Sequence, residues 1–338
     1  MTQATPTVTI GIKALNEEAH IAQSLASACA AAAPFGGEVV LADSGSSDRT
    51  VEIAQGFPVR IVQLADPSRR SCGIGAQLAF QEARGEFFYL LDGDMVLRPE
   101  FIQAGIAFLR ANPGYAAVGG RVREANTSSA EFQMRAKSDE EKGSKIAGEV
   151  DRLDCGGLYR VEAIRALGYF ADANLHSFEE YELGARLRAN GWRLARIAED
   201  AVDHYGHSAG GYRLLLRRLR TGYAGGPGEV VRAALGQRHF GQIVRSFSQL
   251  RYSVVIWAWW LVLLAALVSG RLLLLLAAIV VPVAYFTWRR SDLKLGLYTL
   301  ASWNVNAIGL IQGLFRARRP ATARIECRDM SRGSASGD

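Results

Sequence analysis

Short apolar runs, most of them closing on a polar or acidic residue and followed by an amphipathic or alanine-rich stretch, recur through the first hundred residues. Val8 to Ala14 is the first. Asn16 then stands as an N-cap ahead of Glu17 and Glu18, whose charges favour a helix N-terminus, and an alanine-rich helix runs to about Ala33. Pro34, Phe35, Gly36 and Gly37 break it, and Glu38 to Asp43 is a second buried strand. Ser44 to Thr50 forms a polar turn, with Ser47 or Asp48 placed to cap a helix beginning at Thr50. A third strand at Val59 to Gln63, a helix from about Ile74 to Ala83 and the run Glu86 to Asp94 complete the series. Strands alternating with helices predict a parallel α/β sheet, and a strand apolar on both faces is what such a covered sheet requires.

The pattern changes near the end of the chain. Ser253 to Val268 and Leu272 to Trp288 are almost continuously apolar and are separated only by Ser269-Gly270-Arg271. Uncharged runs of this length predict a tight helical hairpin in a bilayer, with Trp257, Trp259, Trp260, Tyr285 and Trp288 as interfacial aromatics; a buried hydrophobic hairpin is the competing reading. Leu295 to Phe315 is less apolar and holds Asn304 and Asn306; it could cross the membrane, but an interfacial or re-entrant helix is preferred because it keeps Arg316, Arg318, Arg319 and Arg324 near anionic headgroups. Four segments follow: an α/β domain at 1–212, a basic juxtamembrane helical linker at 213–252, the hairpin with its interfacial helix at 253–315, and a basic, polar tail at 316–338.

Charge sharpens this. The net charge of +6 is compatible with nucleic-acid binding, but the arginines cluster between Arg213 and Arg251 and again after Arg289, around the apolar runs, so a membrane surface is the expected partner and nucleic acid is not. Arg245 and Arg251 before the hairpin, and Arg289, Arg290 and Lys294 after it, outnumber Arg271 between its arms. The positive-inside rule then puts both flanks in the cytoplasm. Met1 to Thr7 is polar and short, without the features of a targeting signal, so the α/β domain is expected on the cytoplasmic face of the inner membrane. The cysteines, Cys29, Cys72, Cys155 and Cys327, are scattered, without zinc-ligand spacing, and suit a reducing compartment.

Candidate chemistry begins with Leu91-Asp92-Gly93-Asp94. Alternation along a strand lets Asp92 and Asp94 project to one side at the strand end, where a magnesium or manganese ion would take a few protein oxygens and leave its other positions to water and phosphates. Asp-Gly is also a hairpin-turn signal, with Met95 to Leu97 as a returning strand. The preceding strand–helix alternation favours the cation.

These stretches in order, Thr9 to Glu18, Ala42 to Thr50 and Leu91 to Asp94, with Cys155-Gly156-Gly157-Leu158-Tyr159-Arg160 and Phe178-Glu179-Glu180-Tyr181-Glu182-Leu183 further on, resemble glycosyltransferase family 2. The resemblance implies a GT-A fold, a Rossmann-like α/β domain for nucleotide-diphospho-sugars. It implies donor-side positions at Ala14, Asn16, Glu17, Asp43, Asp92 and Gly93, with Asp43 on the base, and a Mg2+ or Mn2+ ion on Asp94 with Asp92 nearby. Arg70, in the loop before the helix, is a candidate phosphate clamp on the donor side, with a solvated surface arginine as the alternative. Glu180 matches the base of the Glu-Asp-x-x-Leu helix, although aspartate is usual there. Gly156, Gly157 and Glu179 fall on the acceptor side. On helical spacing alone, Glu179 and Glu182 are expected to point away from the face of Glu180. His204 or His207 could complete the metal or diphosphate site, or be an ordinary hydrogen-bonded histidine. Gln77 replaces an asparagine common in the helix before the metal strand. No Gln-x-x-Arg-Trp motif is found near Arg217-Arg218-Leu219-Arg220, which points to single transfers rather than processive synthesis.

The expected activity is inverting, metal-dependent transfer of a sugar from a nucleotide-sugar to a hydroxyl of a lipid-linked or other glycan acceptor in surface polysaccharide assembly. Transfer onto polyprenyl phosphate and a turnover-deficient nucleotide-sugar-binding membrane subunit are the alternatives.

Overall fold

The computed structural model describes residues 5–125, 147–153, 156–206 and 211–331. The chain forms two compact units: Met1–Leu175 with Glu179–Ser208 and Arg318–Asp338, and His176–Phe178 with Ala209–Ala317.

The first unit is built on a ten-stranded mixed sheet. Its strands are β1 (Val8–Ala14), β2 (Glu38–Asp43), β3 (Arg60–Leu64), β4 (Phe87–Asp92), β5 (Met95–Leu97), β6 (Tyr115–Glu124), β7 (Gly148–Val150), β8 (Gly157–Arg160), β9 (Arg193–His204) and β10 (Cys327–Asp329), in the order β10-β3-β2-β1-β4-β8-β6-β9-β5 with β7 on β9. β3, β2, β1 and β4 run parallel, as the alternation of strands and helices predicts. Beyond β4 the sheet becomes mixed, because β8 pairs antiparallel to both β4 and β6 while β9 runs parallel to β6.

Both faces of the parallel half are covered. Phe87, Tyr89 and Leu91 pack with Ile10 and Ile12 against helices α1 (Ile21–Ala32) and, through Phe101 and Ile106, α4 (Pro99–Ala111). Phe88 and Leu90 point the other way, towards α3 (Cys72–Gln81) and the short α5 (Val161–Leu167). The period-two alternation of a strand, apolar at every position, thus feeds two cores at once. Short α2 (Thr50–Ala54) follows β2, and α6 (Glu179–Ala189) precedes β9.

Several local expectations change. Asn16 does not cap α1, which starts at Ile21; it sits at φ 58° in the left-handed region, and its amide oxygen accepts the Ser47 N–H at 2.8 Å. The Asp48 carboxylate does serve the start of α2, accepting the Thr50 N–H at 3.0 Å. Met95 to Leu97 is a strand, but it pairs with β9 rather than returning along β4, so Gly93-Asp94 is not the turn of a β4–β5 hairpin. The segment after Phe315 is more than a tail: Arg318 onwards belongs to the first unit, and Cys327–Asp329 adds an antiparallel edge strand to β3.

The second unit is helical: α7 (Gly211–Arg220), α8 (Gly226–Ala234), α9 (Phe240–Ser246), α10 (Ser248–Val268), α11 (Leu272–Arg290) and α12 (Leu293–Phe315). By length and composition α10 and α11 are the two helices among the described residues able to cross a membrane. Most of their large apolar side chains are exposed, Leu273 at 84% and Val268 at 80%. The Trp260 indole donates to Asn304 Oδ1 of α12 at 2.8 Å, which gives one of that helix's polar side chains a partner.

Candidate active site

Register delivers the site. Ala14 lies opposite Asp43 and Lys13 opposite Asp92, so the carboxyl ends of β2, β1 and β4 present these residues side by side. Ligands of open α/β sheets collect at this edge. The loops are stitched together by backbone hydrogen bonds from Ser44 N–H to the Ala14 carbonyl at 2.9 Å and from Gly93 N–H to the Lys13 carbonyl at 3.0 Å.

Asp43 is fully buried. Its carboxylate accepts the N–H groups of Gly45 and Ser46, each at 2.9 Å, and the Gln63 amide at 2.9 Å, thereby shaping the loop after β2. Glu17 is also buried; its N–H donates to Thr50 Oγ1 at 2.8 Å, and burial followed by the charges of Asp94 and Asp92 pushes its carboxyl up to about 8. Gly93 fits closely between these groups, since a Cβ there would come within 2.9 Å of Glu17 Cγ and 3.1 Å of Ala14 Cβ. Arg70 is exposed in the loop before α3. Gln77 has a structural duty instead, accepting the Phe170 and Ala171 N–H groups at 2.8 and 3.1 Å.

The two aspartates take different partners. β4 ends at Asp92, so the pleat no longer governs Asp94, which lies in the following turn. Asp92 Oδ1 is 3.3 Å from the Lys13 ammonium, whereas Asp94 Oδ2 is 3.4 Å from His204 Nε2. Pairing of β5 with β9 sets Met95 opposite His204, and pairing of β6 with β9 sets Glu124 opposite the same histidine. His204 Nδ1 consequently lies 2.8 Å from Glu124 Oε2. Burial opposes charge on this imidazole, yet the Asp94 and Glu124 carboxylates outweigh it and raise it to about 10. His207 lies outside the described residues.

This donor set suits a hard divalent ion. Once a cation displaces the Nε2 proton, a histidine oriented by a carboxylate on Nδ1 can present Nε2 as a ligand, and Asp94 stands beside it. Asp92 Oδ1 is buried, with the Lys13 ammonium beside it at 3.3 Å. Among the described residues no group of three or more His, Cys, Asp or Glu side chains is arranged to hold a metal by itself. Magnesium and manganese commonly accept so few protein ligands and fill the remainder with phosphates and water.

Glu179 and Glu180 open α6, with Lys13 Nζ 2.8 Å from Glu179 Oε1 and 3.7 Å from Glu180 Oε1. Glu179 therefore does not point away from Glu180. In the first turn both carboxylates are drawn to one ammonium, which helical spacing alone does not reveal. Glu182 does turn elsewhere, into a buried pair with Arg186 at 3.0 Å. Burial, then the neighbouring Glu179, pushes Glu180 up to about 8 against the pull of Lys13. Gly156, in the left-handed region at φ 80°, leads into Gly157 at the start of β8, whose Gly157 pairs with Leu90 of β4. Lys13 and Glu124 are the site residues that sequence reasoning missed; a lysine next to the end of a mostly apolar strand was the available signal for the first.

A family model, glycosyl transferase family 2, matches residues 9–168, which carry β1 to β8 and both aspartates. Residues 9–168 form a glycosyl transferase family 2 domain. The chain is similar in fold to the mannosyltransferase PcManGT from Pyrobaculum calidifontis, solved with GDP-Man and Mn2+ (TM-score 0.58, 18% identity, 93% of this chain and 88% of that one). It also resembles S. aureus TarS 1–349 (TM-score 0.50, 16% identity, 90% of each chain). An uncharacterized protein of Mycobacterium tuberculosis (strain ATCC 25618 / H37Rv) is 35% identical over 83 residues, 23% of this chain. The match spans 24% of the length of that curated relative.

Proposed function

We propose that the chain is an inverting, metal-dependent glycosyltransferase that moves a sugar from a nucleotide-sugar onto a hydroxyl of a lipid-linked glycan in surface polysaccharide assembly, working at the cytoplasmic face of the inner membrane. The observation that carries the reading is the placing of Glu180 within one lysine side chain of Asp92, at the carboxyl edge of the parallel strands. In this reading the loops after β1 and β2, with Asn16, Glu17 and Asp43, line the nucleotide pocket, and Arg70 reaches the phosphates. Gly156, Gly157 and Glu179 border the acceptor. Asp94 and His204 would hold the cation, with Asp92 nearby or through water; His207 is the other candidate. Bound there, a divalent ion supplies Lewis-acid neutralisation of the diphosphate. Glu180 takes the proton of the acceptor hydroxyl as its oxygen bonds to the anomeric carbon. The bond to the diphosphate oxygen breaks on the opposite face, so one displacement inverts the configuration and the nucleoside diphosphate leaves with the electron pair.

A base must be ionised to act. With its carboxyl raised to about 8 in the free protein, Glu180 is increasingly protonated below that pH, so kcat/KM should rise with pH towards a plateau above about 8. Initial rates between pH 6 and 9 check this, and a flat profile counts against Glu180.

The exposed apolar faces of α10 and α11 support a membrane hairpin, and chain connectivity supports an even number of crossings. β10 lies in the same sheet as β1 to β4, so the chain on either side of the helical unit must end on one side of the bilayer. Two crossings by α10 and α11 satisfy that condition, and α12 then lies along the interface. Cysteines introduced at Ser269 or Gly270 in a cysteine-free background should react with an impermeant maleimide from the external face, and one at Ser46 should react only after permeabilisation. Protection of all three in intact cells would remove the spanning hairpin.

A further inference from the structure

Lys13 is the penultimate residue of β1, a strand that is otherwise apolar or small apart from Thr9. Its side chain is 15% exposed, and its ammonium faces three carboxylates from two elements: Glu179 at 2.8 Å, Asp92 at 3.3 Å and Glu180 at 3.7 Å. Space for the stem is left by α3, where a Cβ on Gly75 would stand 3.2 Å from Lys13 Cβ. Glu179 is 4% exposed, so its charge is not held by bulk water. Without a cation among them, three acids this close repel one another and spread apart.

We propose that Lys13 is a positioning residue for sugar transfer: its ammonium ties the Glu179–Glu180 start of α6 to the end of β4 and so fixes the base carboxylate relative to the reacting donor. The proposal rests on the assignment of Glu180 as base. Lys13 does not touch the acceptor proton and acts through Glu180. Its register opposite Asp92 makes the tie specific, because the strand that supplies the lysine also borders the strand end from which the diphosphate is handled. Glu179 becomes the anchor of the tie, a narrower duty than contact with the acceptor. The resulting geometry is rigid where precision matters, since displacement of a reacting group by about 1 Å can cost around 10²-fold in rate.

The test uses full-length protein in native membranes with Mn2+, assaying UDP-GlcNAc and GDP-mannose as donors and reading nucleoside-diphosphate release. With whichever donor turns over, Lys13→Met should lower kcat about 10–100-fold while KM for the donor stays within about threefold, and Lys13→Arg should recover part of the loss. The decisive comparison is the double variant Lys13→Met/Glu180→Gln. If Lys13 acts through Glu180, it is no slower than Glu180→Gln alone. Should Lys13→Met fail to fold, Glu179→Gln loosens the same tie with a nearly isosteric change and should show the same kcat loss and the same non-additivity. Wild-type kcat in Lys13→Met, or in Glu179→Gln where that substitute is used, beside an impaired Glu180→Gln overturns the proposal alone. So does a raised KM with unchanged kcat, which would make Lys13 a donor contact. Normal turnover of Glu180→Gln overturns the base assignment itself, and with it the role given to Lys13.

Discussion

Replacing Glu180 by glutamine is expected to lower turnover by about 10²–10⁴-fold while leaving donor affinity nearly unchanged. The amide keeps the shape and hydrogen-bonding reach of the side chain but cannot accept the acceptor's proton at the moment the hydroxyl attacks. Glu180→Asp should retain part of the activity, because the family resemblance places aspartate at this position. Glu182 is the appropriate neighbouring control: its carboxylate is committed to Arg186 at 3.0 Å, so a change there should read out as lost stability rather than as a missing base. Glu179 cannot serve as a control, since it shares Lys13 with Glu180. Single-turnover rates with a hydroxyl acceptor make the measurement. Near-normal chemistry in Glu180→Gln would point instead to an acceptor that arrives already ionised, such as a lipid phosphate, which needs no base.

Asp94→Ala is expected to abolish the part of nucleotide binding that depends on a divalent ion. Calorimetry with UDP and GDP, with and without Mn2+, measures it directly: the wild-type protein should bind one of them more tightly with the metal, and the variant should not. Glu124→Gln tests the same centre from one step away. Its carboxylate orients His204 through Nδ1, and loss of such a second partner typically weakens metal affinity about 10–100-fold. The exposed Glu100, in the first turn of α4, serves as a control whose replacement should leave the metal effect intact. Metal-enhanced affinity that survives Asp94→Ala unchanged would remove the aspartate from the cation site.

The parts of this protein read correctly from its residues are those decided locally. An unbroken apolar run such as Phe87 to Leu91 has no polar face to expose, so it must be covered on both sides, and an acid that follows it must emerge at the strand end. The short strands, the helices between them and the long apolar hairpin are all fixed by side-chain periodicity over a few residues. Where single residues meet a backbone choice, that logic weakens. Asn16 has the chemistry of a helix cap, but it takes a left-handed conformation and bonds to Ser47, because a loop from a neighbouring strand offers its amide a better partner.

What only the tertiary structure decided is which charges share a neighbourhood. Asp94, Glu124 and His204 are far apart in the chain and meet because β5 and β6 both pair with β9, an arrangement that depends on sheet order and is written in no local pattern. Lys13 looks like an odd residue at the end of an apolar strand until α6 lays Glu179 and Glu180 against it. The chain after Arg318 reads as polar and basic, yet its backbone supplies the missing hydrogen-bonding partner at the β3 edge. Sequence by itself determined the strands, their terminal acids, the apolar hairpin and the family resemblance, since each rests on short-range periodicity or on a motif of adjacent residues. Long-range strand pairing and the packing of α6 determined the electrostatics of the site, because a charge acts on whatever the fold brings within a few ångströms, regardless of its distance along the chain.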